Sequence, residues 1–343
     1  MADTSGIGIG SVLVAGRGPM ACAVVRAAET LGVKTVAVHS ASERDARHVR
    51  LADDAVLLGP APAAESYLSV PRLVEAARRS RVEAVLPVPP ALAGNVELAA
   101  AVVEAGLTWV GPSAEVLERL GGDGAEPASA QGFLALVTDD GLRYVTPVRR
   151  DRDAGTARVS WTPAGWPGGD APELPRAARR LAEVGWRGLV TVGIDPDGEL
   201  AEVAAGSSLD LAVLERAHAV DAVELALRCA AGRWRPAPDT PGRAAVVAQL
   251  RATLPPGRAG RVTGRLPDLA GPADADVVAV GGYAPGDRLD GWYDALLATV
   301  SAAGPDTGTA AVRVADVLTG LPETGVPHDG AAVCQVLHRL AEG

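Results

Sequence analysis

Short apolar runs alternate with longer stretches of helical period over the first third of this chain. SVLVAG (11–16), KTVAVHS (34–40), DDAVLLG (53–59), RVEAVLPV (81–88) and LTWVG (107–111) read as strands, and helices are predicted at about 19–31, 70–79, 94–105 and 113–120. Strands separated by helices of this length form a doubly wound parallel layer, so the pattern predicts an α/β fold. Beyond Gly121 the rhythm changes. GFLALVTDDGLRYVTPVRRD (132–151) has strand character around a DDG hairpin turn. DLAVLERAHAVDAVELALRCAAG (210–232) carries a helical period and ends at Gly.

Composition sharpens this picture. A 343-residue chain that is 48% hydrophobic has ample material for two or three domains with buried cores. Forty Gly and 26 Pro imply many turns, but the apolar residues come in periodic blocks, which argues against wholesale disorder. Net charge is −10, which disfavours nucleic acid, because binding a phosphate backbone requires clustered cations. Cys22, Cys229 and Cys334 are odd in number and far apart, fitting neither a disulfide framework nor a C-x-x-C metal site, so a reducing cytoplasm is expected. The start MADTSGIGIG lacks the features of a signal peptide, and no apolar run reaches the length of a membrane span.

Two local patterns invite a chemical reading. GRGPMA (16–21) begins like a dinucleotide fingerprint, yet Pro19 suits an ordinary first helical turn, and His39 and Ser40 stand where the acidic partner would be expected. Cys334 and His338 share a helical face near His328, but two ligands without carboxylate support do not make a metal site, and a cysteine under a terminal helix is ordinary.

From Val12 to Ala77 the residues carry a more specific signal: SERDARHVRLAD, GPAPAAESYL and, further on, GLTWVGPSAEVLERLG (106–121). These blocks resemble the amino-terminal domain of biotin carboxylases. The resemblance returns at APELPRAARRLAEVGWRGLVTVGIDPDGELAEVAAG (171–206) and at GWYDALLATV (291–300). It implies a biotin-carboxylase-like α/β fold with an amino-terminal doubly wound parallel sheet (1–121), a shortened ATP-grasp remnant (122–241) and a carboxy-terminal mixed α+β domain (242–343).

Set against the family pattern, the chemical residues fail one by one. The chain has a single lysine, Lys34, whereas the family holds ATP phosphates with lysines and a glycine-rich lid. LPVPPALAGN (86–95) replaces a glycine-rich family loop, and with Pro89 and Pro90 it is expected to be an ordinary surface connection of another shape. WTPAGWPGGDAP (161–172) is a candidate replacement for the lid, with Trp161 and Trp166 as packing anchors or as contact residues. Alignment on DPDGEL places the family's metal-binding Glu at Glu202, its Asn at Ala204, its catalytic Arg at Gly206, its general base at Asp210 and the following His at Leu211. A second family Arg falls on Ala248; Arg251 could replace it only through a slip in strand register. Glu202 and Asp210 are therefore the candidate metal ligands, a weak Mg²⁺ pair, with two carboxylates on a solvated face as the alternative. No catalytic or cofactor-binding residue is assigned, and Mg-ATP is the cofactor expected if any nucleotide site survives.

Activation of bicarbonate by phosphoryl transfer depends on positioned cations, and losing one such donor typically costs about a hundredfold to a thousandfold in rate. The leading expectation is thus a non-catalytic, cytoplasmic biotin-carboxylase-like component. It would associate with acyl-CoA carboxylase subunits (biotin carboxylase, biotin carrier or carboxyltransferase) or with itself, and not with nucleic acid or a membrane. A working ATP-dependent biotin carboxylase with a compact lid is the second class, and a small-molecule or nucleotide sensor using the GRGPMA turn is the third.

Overall fold

A computed structural model describes residues 6–120, 124–151, 158–164, 174–235, 242–255 and 257–343. The amino-terminal region is built on a five-stranded sheet: β1 (Ser11–Ala15), β2 (Lys34–Ser40), β3 (Asp54–Gly59), β4 (Ala84–Pro87) and β5 (Thr108–Trp109). Its order is β3-β2-β1-β4-β5 with every pair parallel, the arrangement expected of a doubly wound layer. Helices α1 (Gly18–Thr30), α2 (Arg47–Leu51), α3 (Val70–Ser80), α4 (Pro90–Ala93), α5 (Val96–Glu104) and α6 (Ala114–Leu120) provide the crossovers and cover.

Segment 86–95 departs from the expectation of a surface connection. Pro90 starts the single turn α4, where its fixed φ suits a first helical position, and Val88, Leu92 and Ala93 are buried. Two adjacent prolines have replaced loop flexibility with a packed helical turn, and Asn95 caps the next helix by accepting from Leu98 N at 2.8 Å.

The rest of the chain forms a second, eight-stranded sheet. Its strands are β6 (Gln131–Thr138), β7 (Gly141–Asp151), β8 (Arg158–Thr162), β9 (Gly188–Ile194), β10 (Leu200–Ala205), β11 (Ala244–Arg251), β13 (Val277–Gly281) and β15 (Leu296–Gly304), ordered β10-β9-β6-β7-β8-β11-β15-β13. The pairing of β8 with β11, from Thr162 opposite Ala245 to Arg158 opposite Gln249, carries this sheet across residue 241. A small pair, β12 (Gly260–Arg261) with β14 (Arg288–Leu289), stands beside it. Helix α7 (Leu174–Val184) covers one face, α8 (Leu211–His218) and α9 (Ala222–Ala230) the other, and α10 (Thr307–Thr319) and α11 (Gly330–Glu342) pack at the carboxy-terminal end.

The single helical period read over 210–232 is two helices. The first ends at Ala219 in the left-handed conformation (φ 55°), and Asp221 caps the second by accepting from Val223 N and Glu224 N. Trp161 lies on β8, half-buried against the carboxy-terminal core, while Trp166 lies outside the described residues. No helix among the described residues is long and apolar enough to cross a membrane.

Candidate functional site

The hairpin β6–β7 positions the polar groups. Along β7 the residues at period two, Tyr144, Thr146, Val148 and Arg150, are all buried, so alternation drives the Arg150 guanidinium inward while Arg149 emerges on the opposite face. Space for that guanidinium comes from Gly132 on the neighbouring strand: a Cβ there would fall 1.8 Å from Val192 O and 3.0 Å from Arg150 Nη1. Gly193 does the same for Glu202, whose Oε2 would be 2.5 Å from an added Cβ.

Both sequence-predicted metal ligands lie in this network, and each carboxylate is already engaged. Glu202 on β10 accepts from Ser129 N at 2.8 Å, Ser129 Oγ at 2.5 Å and Ala128 N at 3.1 Å. Burial works against its charged form, but these hydrogen bonds and the nearby Arg150 hold its carboxyl below the usual range. Asp210, at the start of α8, is 1% exposed and accepts from Arg150 Nε at 2.5 Å and from Ser160 Oγ at 2.6 Å. Arg150 reaches toward the Glu202 side as well, donating to Ser129 O at 3.1 Å. The two carboxylates are thus joined through a guanidinium and Ser129, and Arg150 brings a positive charge among them without a metal. Sequence reading missed Arg150; its signal was the alternation of LRYVTPVRRD.

Mg-ATP does not suit the described residues. Among the described residues no group of three or more His, Cys, Asp or Glu side chains converges as a metal site. The only lysine, Lys34, stands exposed at the start of β2, in the other sheet. Arg251 does sit at a register shift, the β-bulge between Leu250 and Arg251, but it donates to Gln249 Oε1 at 3.0 Å and Asp294 Oδ2 at 2.5 Å, and Ala248 is fully buried.

A second polar cluster joins the parallel sheet to the carboxy-terminal region. Arg17, just before α1, donates to both Glu43 carboxylate oxygens, with Nη2–Oε1 at 2.7 Å, and to Tyr283 Oη at 2.9 Å; its guanidinium lies 4.7 Å from the Tyr293 ring centroid. Tyr67 donates to Glu43 at 2.6 Å and meets Tyr293 edge-on at 5.3 Å. Burial disfavours a charged Glu43, yet Arg17 prevails and keeps its carboxyl low, while burial raises Tyr67 strongly. The GRGPMA turn is part of this junction. A Cβ on Gly282 would lie 2.4 Å from Pro19, so carboxy-terminal backbone covers the position where a dinucleotide fingerprint would need open space.

A family model for the biotin carboxylase N-terminal domain matches residues 8–117. Residues 8–117 are thus similar in sequence to a biotin carboxylase N-terminal domain. Biotin carboxylase of Haemophilus influenzae is 43% identical over 110 residues, 32% of this chain and 25% of that protein. The mitochondrial methylcrotonoyl-CoA carboxylase subunit alpha of Mus musculus is 37% identical over 118 residues, 34% of this chain and 16% of that protein. The match thus spans a quarter or less of these relatives. In three dimensions the likeness extends over the whole chain. The biotin carboxylase βγ-ATP complex from Campylobacter jejuni superimposes with a TM-score of 0.81 at 15% identity, covering 97% of this chain and 96% of that one. Pyruvate carboxylase of Rhizobium etli gives 0.80 at 22%, covering 97% of this chain and 38% of that one. The chain has the α/β fold of a biotin carboxylase, and its sequence is most evidently biotin-carboxylase-like in the parallel-sheet region.

Proposed function

We propose that this chain is a non-catalytic biotin-carboxylase-like component that associates with subunits of an acyl-CoA carboxylase or with a second copy of itself. The observation that carries the reading is the Arg150–Asp210 pair. The carboxylate aligned with the family's general base is buried, paired with a fixed guanidinium and hydrogen-bonded by Ser160, so it lacks the access to take a proton from a substrate. Glu202, aligned with the metal ligand, is spent on the backbone of residues 128–129. Relatives named as acyl-CoA carboxylase subunits make such a complex the natural partner class. A cytoplasmic, oligomeric protein fits this role.

Two measurements test the proposal. The purified chain is expected to show no ATP-dependent carboxylation of free biotin; turnover above the uncatalysed rate would favour the compact-lid enzyme instead. It is also expected to co-purify with a carboxylase subunit co-expressed with it, or to self-associate. A chain that remains monomeric and captures no carboxylase subunit would defeat the scaffold role.

A further inference from the structure

Arg149 and Arg150 are neighbours on one strand with opposite fates, and the outward one faces a cleft. Cross-strand register places Arg149 beside Gln131, Pro147 beside Phe133 and Ile194 beside Gln131, so these residues share one face of the second sheet. Together with Pro163 and the turn Asp195–Gly198 they line a cleft of about 560 Å³, within the range of small-molecule sites. Its floor is apolar. Among the described residues Arg149 is its only cationic lining residue, is exposed, and makes no side-chain hydrogen bond or ion pair. Asp195 and Asp197 line the same cleft at the end of β9, two strands from Arg149, and Asp195 Oδ1 accepts from Asp197 N and Glu199 N at 2.9 Å each.

We propose that this cleft binds a compact organic monocarboxylate. Its carboxylate would be held by the Arg149 fork and its apolar body laid against Phe133, Pro147 and Ile194. A planar guanidinium matches a carboxylate bidentately, which a point charge would not. One cation balances one negative charge. A second anionic group would extend toward Asp195 and Asp197 and meet like charge, so the same geometry rejects dicarboxylates and polyphosphates. The site is independent of the proposed scaffold role, since nothing in it requires a carboxylase partner.

The test is calorimetric titration of the whole chain with hexanoate, hexanamide, adipate and Mg·ATP in parallel, with saturation-transfer NMR to detect weak binding. Hexanoate is expected to bind at least about tenfold more tightly than its neutral amide, a difference of about 1.4 kcal/mol, and more tightly than adipate or Mg·ATP. Arg149→Gln should abolish the preference for hexanoate over hexanamide without changing the melting temperature, because Arg149 supports no other side chain. Asp197→Asn should narrow the gap between hexanoate and adipate. Equal binding of hexanoate and hexanamide, tighter binding of Mg·ATP, an unchanged preference in Arg149→Gln, or no binding of hexanoate at millimolar concentration would each overturn the proposal.

Discussion

The parallel-sheet region and the β6–β10 region carry the same fold family with very different fidelity. The first aligns at 43% identity with a biotin carboxylase over 110 residues, while the whole chain superimposes on another biotin carboxylase at 15%. A sheet needs only alternation, register and well-placed glycines, and β6, β7, β9 and β10 keep these. Phosphoryl transfer needs particular charges at particular points. Fold and chemistry thus answer to different constraints, and the non-catalytic role proposed above requires that the β6–β10 region has kept only the first set. Charge there is turned inward: Arg150 and Asp210 stabilise the structure by satisfying each other.

The sharpest way to break this comparison is to remove one partner of that pair. Arg150→Met should leave the Asp210 carboxylate buried and unpaired, costing about 3–5 kcal/mol, read as a lower urea midpoint. Replacing both, Arg150→Met with Asp210→Leu, should recover most of the loss. If the single variant unfolds no more easily than wild type, the ion pair is not what organises this region.

The two regions should also respond to pH with opposite sign. In the parallel-sheet region, His48 Nε2 donates to Val38 O at 3.2 Å, and burial lowers its pKa to about 4 despite Glu43 nearby. Its unfolded form takes up a proton near pH 6.5, so this contribution is fully present above that pH and is lost as pH falls toward 4. On α8, burial first and Asp221 second raise Glu215 to about 7. The folded state keeps that proton, so this contribution is present below about pH 4.5 and is lost as pH rises toward 7. Glu215→Gln should therefore expose a stability that rises with pH between about 4.5 and 6.5, and His48→Gln one that falls. Parallel pH profiles for the two variants would refute the assignment.

At the junction, Glu43→Gln should cost about 2 kcal/mol, because Arg17 stays buried with a weaker acceptor. Since Arg17 also donates to Tyr283, the loss should appear as faster amide exchange in β13 as well as in β2. Protection lost in β2 alone would mean that the cluster does not couple the two regions.

Much of the first region could be read directly: all five strands and most helix limits follow from periodicity, because each apolar run is bounded by a turn. The DDG hairpin was equally plain, with Gly141 at φ 99°. What escaped was tertiary. The break at Ala219 interrupts an unbroken helical pattern, since Asp221 can read either as a polar-face residue or as a cap. The burial of Ala93 depends on close approach to Gly206, far along the chain. Glu202 and Asp210 could be found by alignment; that Ser129 and Arg150 hold them could not, because the partners come from other strands.

The smallest expected effect tests whether burial, more than the mere presence of ion pairs, separates these regions. Arg187 and Asp139 meet at the end of the β6–β7 hairpin, with Arg187 Nε 2.7 Å from Asp139 Oδ1, but their side chains are 45% and 89% exposed. Water and salt screen such a pair, so Arg187→Ala should shift the melting temperature by no more than about one degree. Asp268 receives two hydrogen bonds from Arg26, at 2.7 and 2.8 Å, and a third contact from Arg47, with all three side chains at most 30% exposed. Burial opposes its ionisation, but Arg26 and Arg47 hold its carboxyl below the usual range. Asp268→Asn should therefore lower the melting temperature measurably more than Arg187→Ala, and the gap should persist in high salt. Equal shifts would mean that burial does not decide which of these ion pairs matters.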